Sequence, residues 1–241
     1  MIRLSTTSRV CNPLTFKVIT LFPEFFKPYF AGSILGRAVK KGLIKTNFLN
    51  LRDFSLDKKH RRVDHKAYGG GPGMVIQVEP VLRAINSAFK GKSRKTKVKS
   101  KIILFSTAGK QFTQKMAYVW SKKAENIVLI SGRYEGVDER VKKTIKDVVG
   151  ISVEEISIGP YTLSGGELPA MVIIDAISRH IPGVLGKGES LEEKRLGPGV
   201  PVYTRPEVFT YKKKKYSVPK VLLSGNHKTI VNWRISHRKS G

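Results

Sequence analysis

The sequence predicts an α/β protein built on a mainly parallel sheet. Three observations carry this. FKVITLF (16–22), IILFST (102–107) and NIVLISG (126–132) are short, almost continuous apolar runs, as expected of strands buried on both faces. Segments with apolar residues at helical spacing separate them, which favours parallel crossovers. Glycine-rich loops follow the later runs, where open α/β sheets hold their ligands.

In chain order, FKVITLF ends at Pro23 and reads as the first strand. A helix begins at about Gly32, with Ile34, Leu35, Ala38 and Val39 at helical spacing. KTNFLNLRDF (45–54) is a second strand, and SLDKKHRRVDHKAYGGGPGM (55–74) is a loop without periodicity. EPVLRAINSAF (79–89) is a helix with Pro80 in its first turn. A basic connector follows, with seven basic residues from Lys90 to Lys101. IILFST is a strand, QKMAYVWSKKA (114–124) a helix and NIVLISG a strand. A further helix starts at about Asp138, its expected N-cap. The loops to watch are STAGKQ (106–111), SGRYEGVDER (131–140) and IGPYTLSGGELP (158–169). From Arg179 glycines and prolines mark a linker, and the basic C-terminal region contains one helix from about His227.

The 241 residues carry 45 Lys and Arg against 18 Asp and Glu, a net charge of +27. With 40% apolar and 9% aromatic residues the chain is globular, and its charge points to a polyanion: nucleic acid first, an anionic membrane surface second. Cys11 is the one cysteine, which rules out an intrachain disulfide framework and a cysteine zinc site. No apolar run approaches the ~18 residues of a membrane span. The first fifteen residues, rich in Ser and Thr, read as a simple N-terminal extension, with an organelle transit peptide as the alternative. Against this basic background, residues 147–178 contain no Lys or Arg but keep Asp147, Glu154, Glu155, Glu167 and Asp175.

YGGGPGM (68–74) has neither the spacing of a dinucleotide fingerprint nor the Lys of a P-loop. Its glycines suit a flexible turn or a close approach by a ligand. In SGRYEGVDERV, Gly132 and Glu135 favour ligand contact, whereas Asp138 and Glu139 read as capping. ISIGPYTLSGGELPA (156–170) takes an irregular path whose backbone groups need partners; a bound purine and a buried structural loop explain it equally. His60, His65, His180, His227 and His237 show no metal spacing and read as surface or loop residues, and no G-x-S-x-G elbow occurs.

Together YGGGPGM, GRYEGVDER and IGPYTLSGGELPAM, followed by SRHIPGVLG, YTRPEVF and VLLSGNHKTIVNWR, closely resemble the bacterial tRNA (guanine-N1)-methyltransferases. LFPEFF, GRAVKKGLI and LRDF match as well, so the resemblance runs from about Phe16 to Arg234. It implies a knotted methyltransferase with a deep trefoil knot. It divides the chain into an extension (1–15), a cofactor domain (16–185), a mobile linker (186–202) and a C-terminal tRNA-binding helical region (203–241) that is short for the family. The implied enzyme is a cytoplasmic homodimer with active sites at the subunit interface, with a magnesium requirement as a further implication. It would methylate N1 of the tRNA guanosine 3′ to the anticodon, at position 37. S-adenosylmethionine would be held by Gly132, Glu135, Ile158, Gly159, Pro160, Tyr161, Thr162, Leu163, Gly165 and Gly166. Asp64 and Gly73 would contact the substrate, Asp64 by reading the neighbouring guanine, and Arg179 would be the catalytic arginine. A segment free of Lys and Arg would spare the sulfonium repulsion, and Glu135 and Glu167 would favour it.

The family's general base is an aspartate in the linker after IPGVLG. Here Lys194 takes that place, and lysine is no base at neutral pH unless its pKa is strongly lowered. Glu193 is the expected substitute, with Glu192 as the alternative. Activity on another RNA, and RNA binding without turnover, are the competing readings.

Overall fold

A computed structural model describes residues 12–90, 99–185 and 199–238. The chain divides into two compact units, Met1–Val184 and Leu185–Gly241. The first is built on a five-stranded parallel sheet. Its strands are β1 (Leu14–Thr20), β2 (Ile44–Asn50), β5 (Ser100–Gln111), β6 (Asn126–Ile130) and β7 (Val153–Ser157), in the order β2-β1-β6-β5-β7. A separate antiparallel ribbon joins β3 (Asp64–His65) to β4 (Val75–Ile76).

The continuous apolar runs follow from burial on both faces. In β6 all five residues are buried, and successive side chains serve opposite layers. Ile127 and Leu129 join Phe16, Val18 and Ile103 in one core cluster, with residues of α1 (Lys27–Ala31), α2 (Ser33–Lys40), α4 (Gln114–Lys123) and α6 (Glu167–Ser178). Val128 and Ile130 join Ile19, Ile102 and Leu104 in the other, with α3 (Val78–Phe89) and α5 (Arg140–Val149).

Several boundaries differ from the sequence expectation. The first strand starts at Leu14, which is buried, ahead of the expected domain start at 16. LRDF leaves the second strand as a 3-10 turn, because the Asn50 side chain accepts from Arg52 N and bends the chain. STAGKQ is not a free loop but the end of β5, whose ladder with β7 shifts register between Phe105 and Lys110. Gly109 makes that return feasible, since a Cβ there would lie 2.6 Å from Ile156 N. Asp138 sits one residue outside the N-cap position, held by Glu139. Its carboxylate still accepts from Arg140 N at 3.0 Å and grips the Arg140 guanidinium.

β7 and α6 lie in a stretch where the sequence pattern predicts no regular element. In β7 two adjacent glutamates mask the strand pattern, and each is neutralised from a neighbouring element: Glu154 by Lys101, Glu155 by Lys142. α6 lacks an extended polar face because much of it is buried, so periodicity gave no helix signal. Its first turn carries the same cue as α3, an acidic residue and a proline at the third position.

Where α1 meets α6, the Tyr29 hydroxyl donates to the Asp175 carboxylate. This bond first, then burial and the carboxylate charge, pushes the phenol from 10.0 up to about 12. The folded pKa exceeds the unfolded value, so the contribution to stability is full below pH 10 and fades as pH rises through about 12. Ultraviolet titration of the phenolate band is expected to show a tyrosine ionising at about pH 12 that Tyr29→Phe removes; an unchanged limb there would place that phenol elsewhere.

The second unit departs from a purely helical expectation. It contains an antiparallel hairpin, β8 (Val208–Tyr211) with β9 (Lys214–Ser217), then α7 (Lys220–Leu223) and α8 (His227–Ser236). The expected helix start at His227 agrees, because the Asn226 side chain caps it by accepting from Lys228 N and Thr229 N. Alternation in VFTY and KKYS is mixed with lysines, so the hairpin had no apolar signature.

Candidate active site

At the carboxyl ends of β5, β6 and β7 three segments enclose a cleft of ≈ 470 Å³. That suits a ligand of cofactor size. The end of β5 supplies Leu104–Thr107, the loop after β6 supplies residues 132–137, and the segment after β7 supplies most of residues 158–166. Of the residues assigned to the cofactor, Gly132, Glu135, Ile158, Gly159, Tyr161, Thr162, Leu163, Gly165 and Gly166 line this one cleft. Pro160 belongs to the same segment but does not line it, and is exposed.

The two loops are locked together by backbone contact. Gly166 N donates to Gly132 O at 3.0 Å, and a Cβ on Gly166 would stand 2.6 Å from Ser131 Cα. Only glycine permits that approach. Arg133 ties the same junction through its side chain. Its Nε donates to Glu167 Oε2 at 2.9 Å, its Nη1 donates to Ser164 O at 3.2 Å, and its guanidinium lies 4.7 Å above the Phe22 ring. Glu167 is 3% exposed, and its other oxygen accepts from Thr20 Oγ1 at 2.8 Å.

This corrects the expected electrostatics. Glu167 does not offer its charge to a ligand, because Arg133 neutralises it from outside the Lys-free stretch. Glu154, Glu155 and Asp175 are likewise engaged with Lys101, Lys142 and Tyr29. The acids are retained mainly as partners for groups on other elements. The Lys142 ammonium, chiefly through its hydrogen bond, also holds the Glu155 carboxyl below its usual range. Glu135 differs: it lines the cleft, is exposed, and forms no ion pair among the described residues.

The glycine loop joins the site from the side. Glu135 N donates to Met74 O, Ile76 N to Gly136 O and Asp138 N to Ile76 O, each at 2.9–3.0 Å. Gly73 presses against Glu135, whose Oε1 would be 2.5 Å from an added Cβ. Asp64 pairs with Ile76 across the ribbon. Burial, the Asp64 charge and a hydrogen bond to Asp64 raise the Tyr134 phenol, with Arg52 opposing. Tyr134 itself lines the cleft with φ +59°, so Asp64 is one side chain away from it. Arg133 and Tyr134 were within the quoted GRYEGVDER motif, yet their roles depend on Glu167 and Asp64, which are distant in sequence.

Arg179 follows α6 directly, half-buried, with its N–H donating to Asp175 O at 3.1 Å; it does not line the cleft. Glu192, Glu193 and Lys194 lie outside the described residues. His180, expected at the surface or in a loop, is buried: it meets Gln114 Nε2 at 2.8 Å and the edge of Tyr118. Among the described residues no group of three or more His, Cys, Asp or Glu could hold a metal ion. No helix among them is long and apolar enough to cross a membrane.

Comparison with known proteins gives a consistent result. Residues 14–240 match the family model described as tRNA (guanine-1)-methyltransferase TrmD. The chain is 47% identical over 222 residues to the tRNA (guanine-N(1)-)-methyltransferase of Pseudoalteromonas atlantica, covering 91% of this chain and 78% of that protein. The Dictyoglomus turgidum protein of the same name is 48% identical over 224 residues, covering 92% and 83%. That of Ruminiclostridium cellulolyticum is 46% identical over 225 residues, covering 92% and 90%.

Proposed function

We propose, for a chain that belongs to the tRNA (guanine-1)-methyltransferase family, that the cleft binds S-adenosylmethionine and delivers its methyl group to guanosine 37 of tRNA. The chain is an enzyme that methylates guanine N1 in tRNA. The observation that carries this reading is the cleft itself, with its two backbone-joined loops and Glu135, a carboxylate outside any ion pair among the described residues.

The residues present fit such a cofactor. Irregular backbone along 158–165 offers N–H and C=O groups to an adenine edge, and Tyr161 and Leu163 offer apolar surface. Glu135 favours a cation in the cleft. When bound, S-adenosylmethionine supplies an electrophilic methyl carbon on a positive sulfonium. Magnesium has no ligand cluster among the described residues.

Guanine N1 is protonated at neutral pH, so the chain must remove that proton. Glu193 is the proposed general base, with Glu192 as the alternative. Negative charge then spreads to O6, where Arg179 donates from its guanidinium. Asp64, hydrogen-bonded to Tyr134, reads the neighbouring guanine, and Gly73, which has no side chain to press on Glu135, contacts the substrate beside it. Fixed placement of base and methyl donor supplies much of the rate.

The test is single-turnover methyl transfer to two tRNA transcripts, one with guanosine at positions 36 and 37 and one with adenosine at 37. Only the first should be methylated. Glu193→Gln should cut the rate by about 10²-fold or more, as for loss of a general base; if neither Glu193→Gln nor Glu192→Gln slows transfer, the base lies elsewhere.

Four further assignments belong to this reading. A trefoil knot is supported by the path of the chain, which leaves β7 at the sheet edge and returns beside the end of β6 at Gly166 before α6. An experimental chain trace that pulls straight from its ends would overturn it. A homodimer is supported by Leu168 and Val172, exposed one turn apart on α6; a single-chain mass by sedimentation would count against it. The domain limits and a cytoplasmic location follow the family, and an organelle import assay on the N-terminal extension would test the latter.

A further inference from the structure

The β8–β9 hairpin carries a surface that the cleft chemistry does not use. Phe209 is paired with Tyr216, and Tyr211 with Lys214. Side chains alternate along each strand, so Phe209, Tyr211, Tyr216 and Lys214 share one face. The Phe209 and Tyr211 rings are parallel within 7° at 6.5 Å, and Phe209 and Tyr216 are 6.3 Å apart. All three residues are more than half exposed. Every residue of both strands is exposed.

The turn joining the strands is equally unusual. Lys212 and Lys213 both have positive φ, +46° and +63°. This is the geometry that Asn-Gly normally occupies in a two-residue hairpin. Placing lysines there costs backbone strain and sets charge at the tip. Lys212 Nζ lies 5.6 Å from the Tyr211 ring centroid, and Lys214 and Lys215 continue the basic run. The hairpin thus combines a flat, exposed aromatic surface with four adjacent cations.

We propose that this hairpin is a stacking platform for unpaired nucleotides of the RNA substrate, a site separate from the cofactor cleft. Bases present π faces that aromatic side chains on a sheet can stack against, and the phosphates between them meet the lysine tip. A base-paired helix hides those faces, so the occupant is a loop or an unpaired end. A protein partner suits the surface less well, because lysine is depleted where protein interfaces bury their centres. The proposal rests on the reading that the substrate is tRNA.

The test uses the full chain and tRNA transcripts carrying 2-aminopurine at single unpaired positions. Binding should quench at least one position, and Phe209→Leu, Tyr211→Leu and Tyr216→Leu should remove that quench. Each leucine keeps apolar bulk in the strand while removing the ring. Loss of one stacked base should weaken tRNA binding by about 5- to 150-fold. The salt dependence of the leucine variants should run parallel to the parent's, whereas Lys212→Gln with Lys213→Gln should flatten its slope by roughly one per lysine. Fluorescence of Trp233, which packs against Tyr203 and His237 in the same unit, reports whether the variants remain folded. Unquenched probes with unchanged affinity in all three leucine variants would overturn the platform, as would a change of oligomeric state at constant RNA affinity. Variants that lose RNA binding in a chain that methylates no tRNA would leave the platform standing and overturn the functional reading instead.

Discussion

Replacing Glu167 with alanine is expected to destabilise the first unit by about 3 kcal/mol and to abolish cofactor binding at ordinary concentrations. Glu167 is buried, and it satisfies Thr20 Oγ1 and the Arg133 guanidinium together. Its loss leaves a hydroxyl and a cation without their acceptor. The cost falls at the low end of the usual range for broken buried pairs, because Arg133 retains 20% side-chain exposure and can turn to water. Binding should suffer more than stability. Arg133 also holds Ser164 O, and released from Glu167 it no longer fixes the wall formed by residues 164–166. Glu167→Gln should be milder, since an amide oxygen still accepts from Thr20. Denaturant melts with calorimetric cofactor titration measure both effects. A double-mutant cycle with Arg133→Met should give a coupling of about 1–3 kcal/mol; a value near zero would mean that the pair does not hold the junction.

That junction also shows where the sequence was sufficient. The parallel α/β core was legible because burial on both faces writes itself as unbroken apolar runs, as in Asn126–Ile130. Glycine-rich segments marked the cleft because close backbone approach excludes other side chains, as at Gly166 against Ser131. What stayed hidden were elements whose signal is supplied by partners far along the chain. β7 looks polar until Lys101 and Lys142 are placed beside its glutamates. The acids of the Lys-free stretch looked like a field for a cation until Arg133 was found on Glu167. The pairing of Tyr134 with Asp64 joins a loop to a short strand that no local pattern connects. The hairpin of the second unit was missed because its aromatic face points outward, so alternation never took the form of apolar against polar.

Arg179→Ala is expected to lower the single-turnover rate by about 10²- to 10³-fold, the usual loss when one donor to a developing oxyanion is removed. Cofactor affinity should change little, because Arg179 is not among the residues lining the cleft. The effect should appear in the rate of transfer rather than in tRNA affinity, since the charge on guanine O6 develops only as N1 loses its proton. Arg179→Lys should recover only part of the rate, because an ammonium cannot reproduce the planar pair of donors. The main structural risk is local. Arg179 caps α6 through its backbone, and alanine preserves that N–H bond to Asp175 O. A fall in thermal stability matching the loss of rate would therefore assign Arg179 to the fold. A large fall in rate with the melt and both affinities intact would assign it to the transition state, and would place the reacting base within reach of the end of α6.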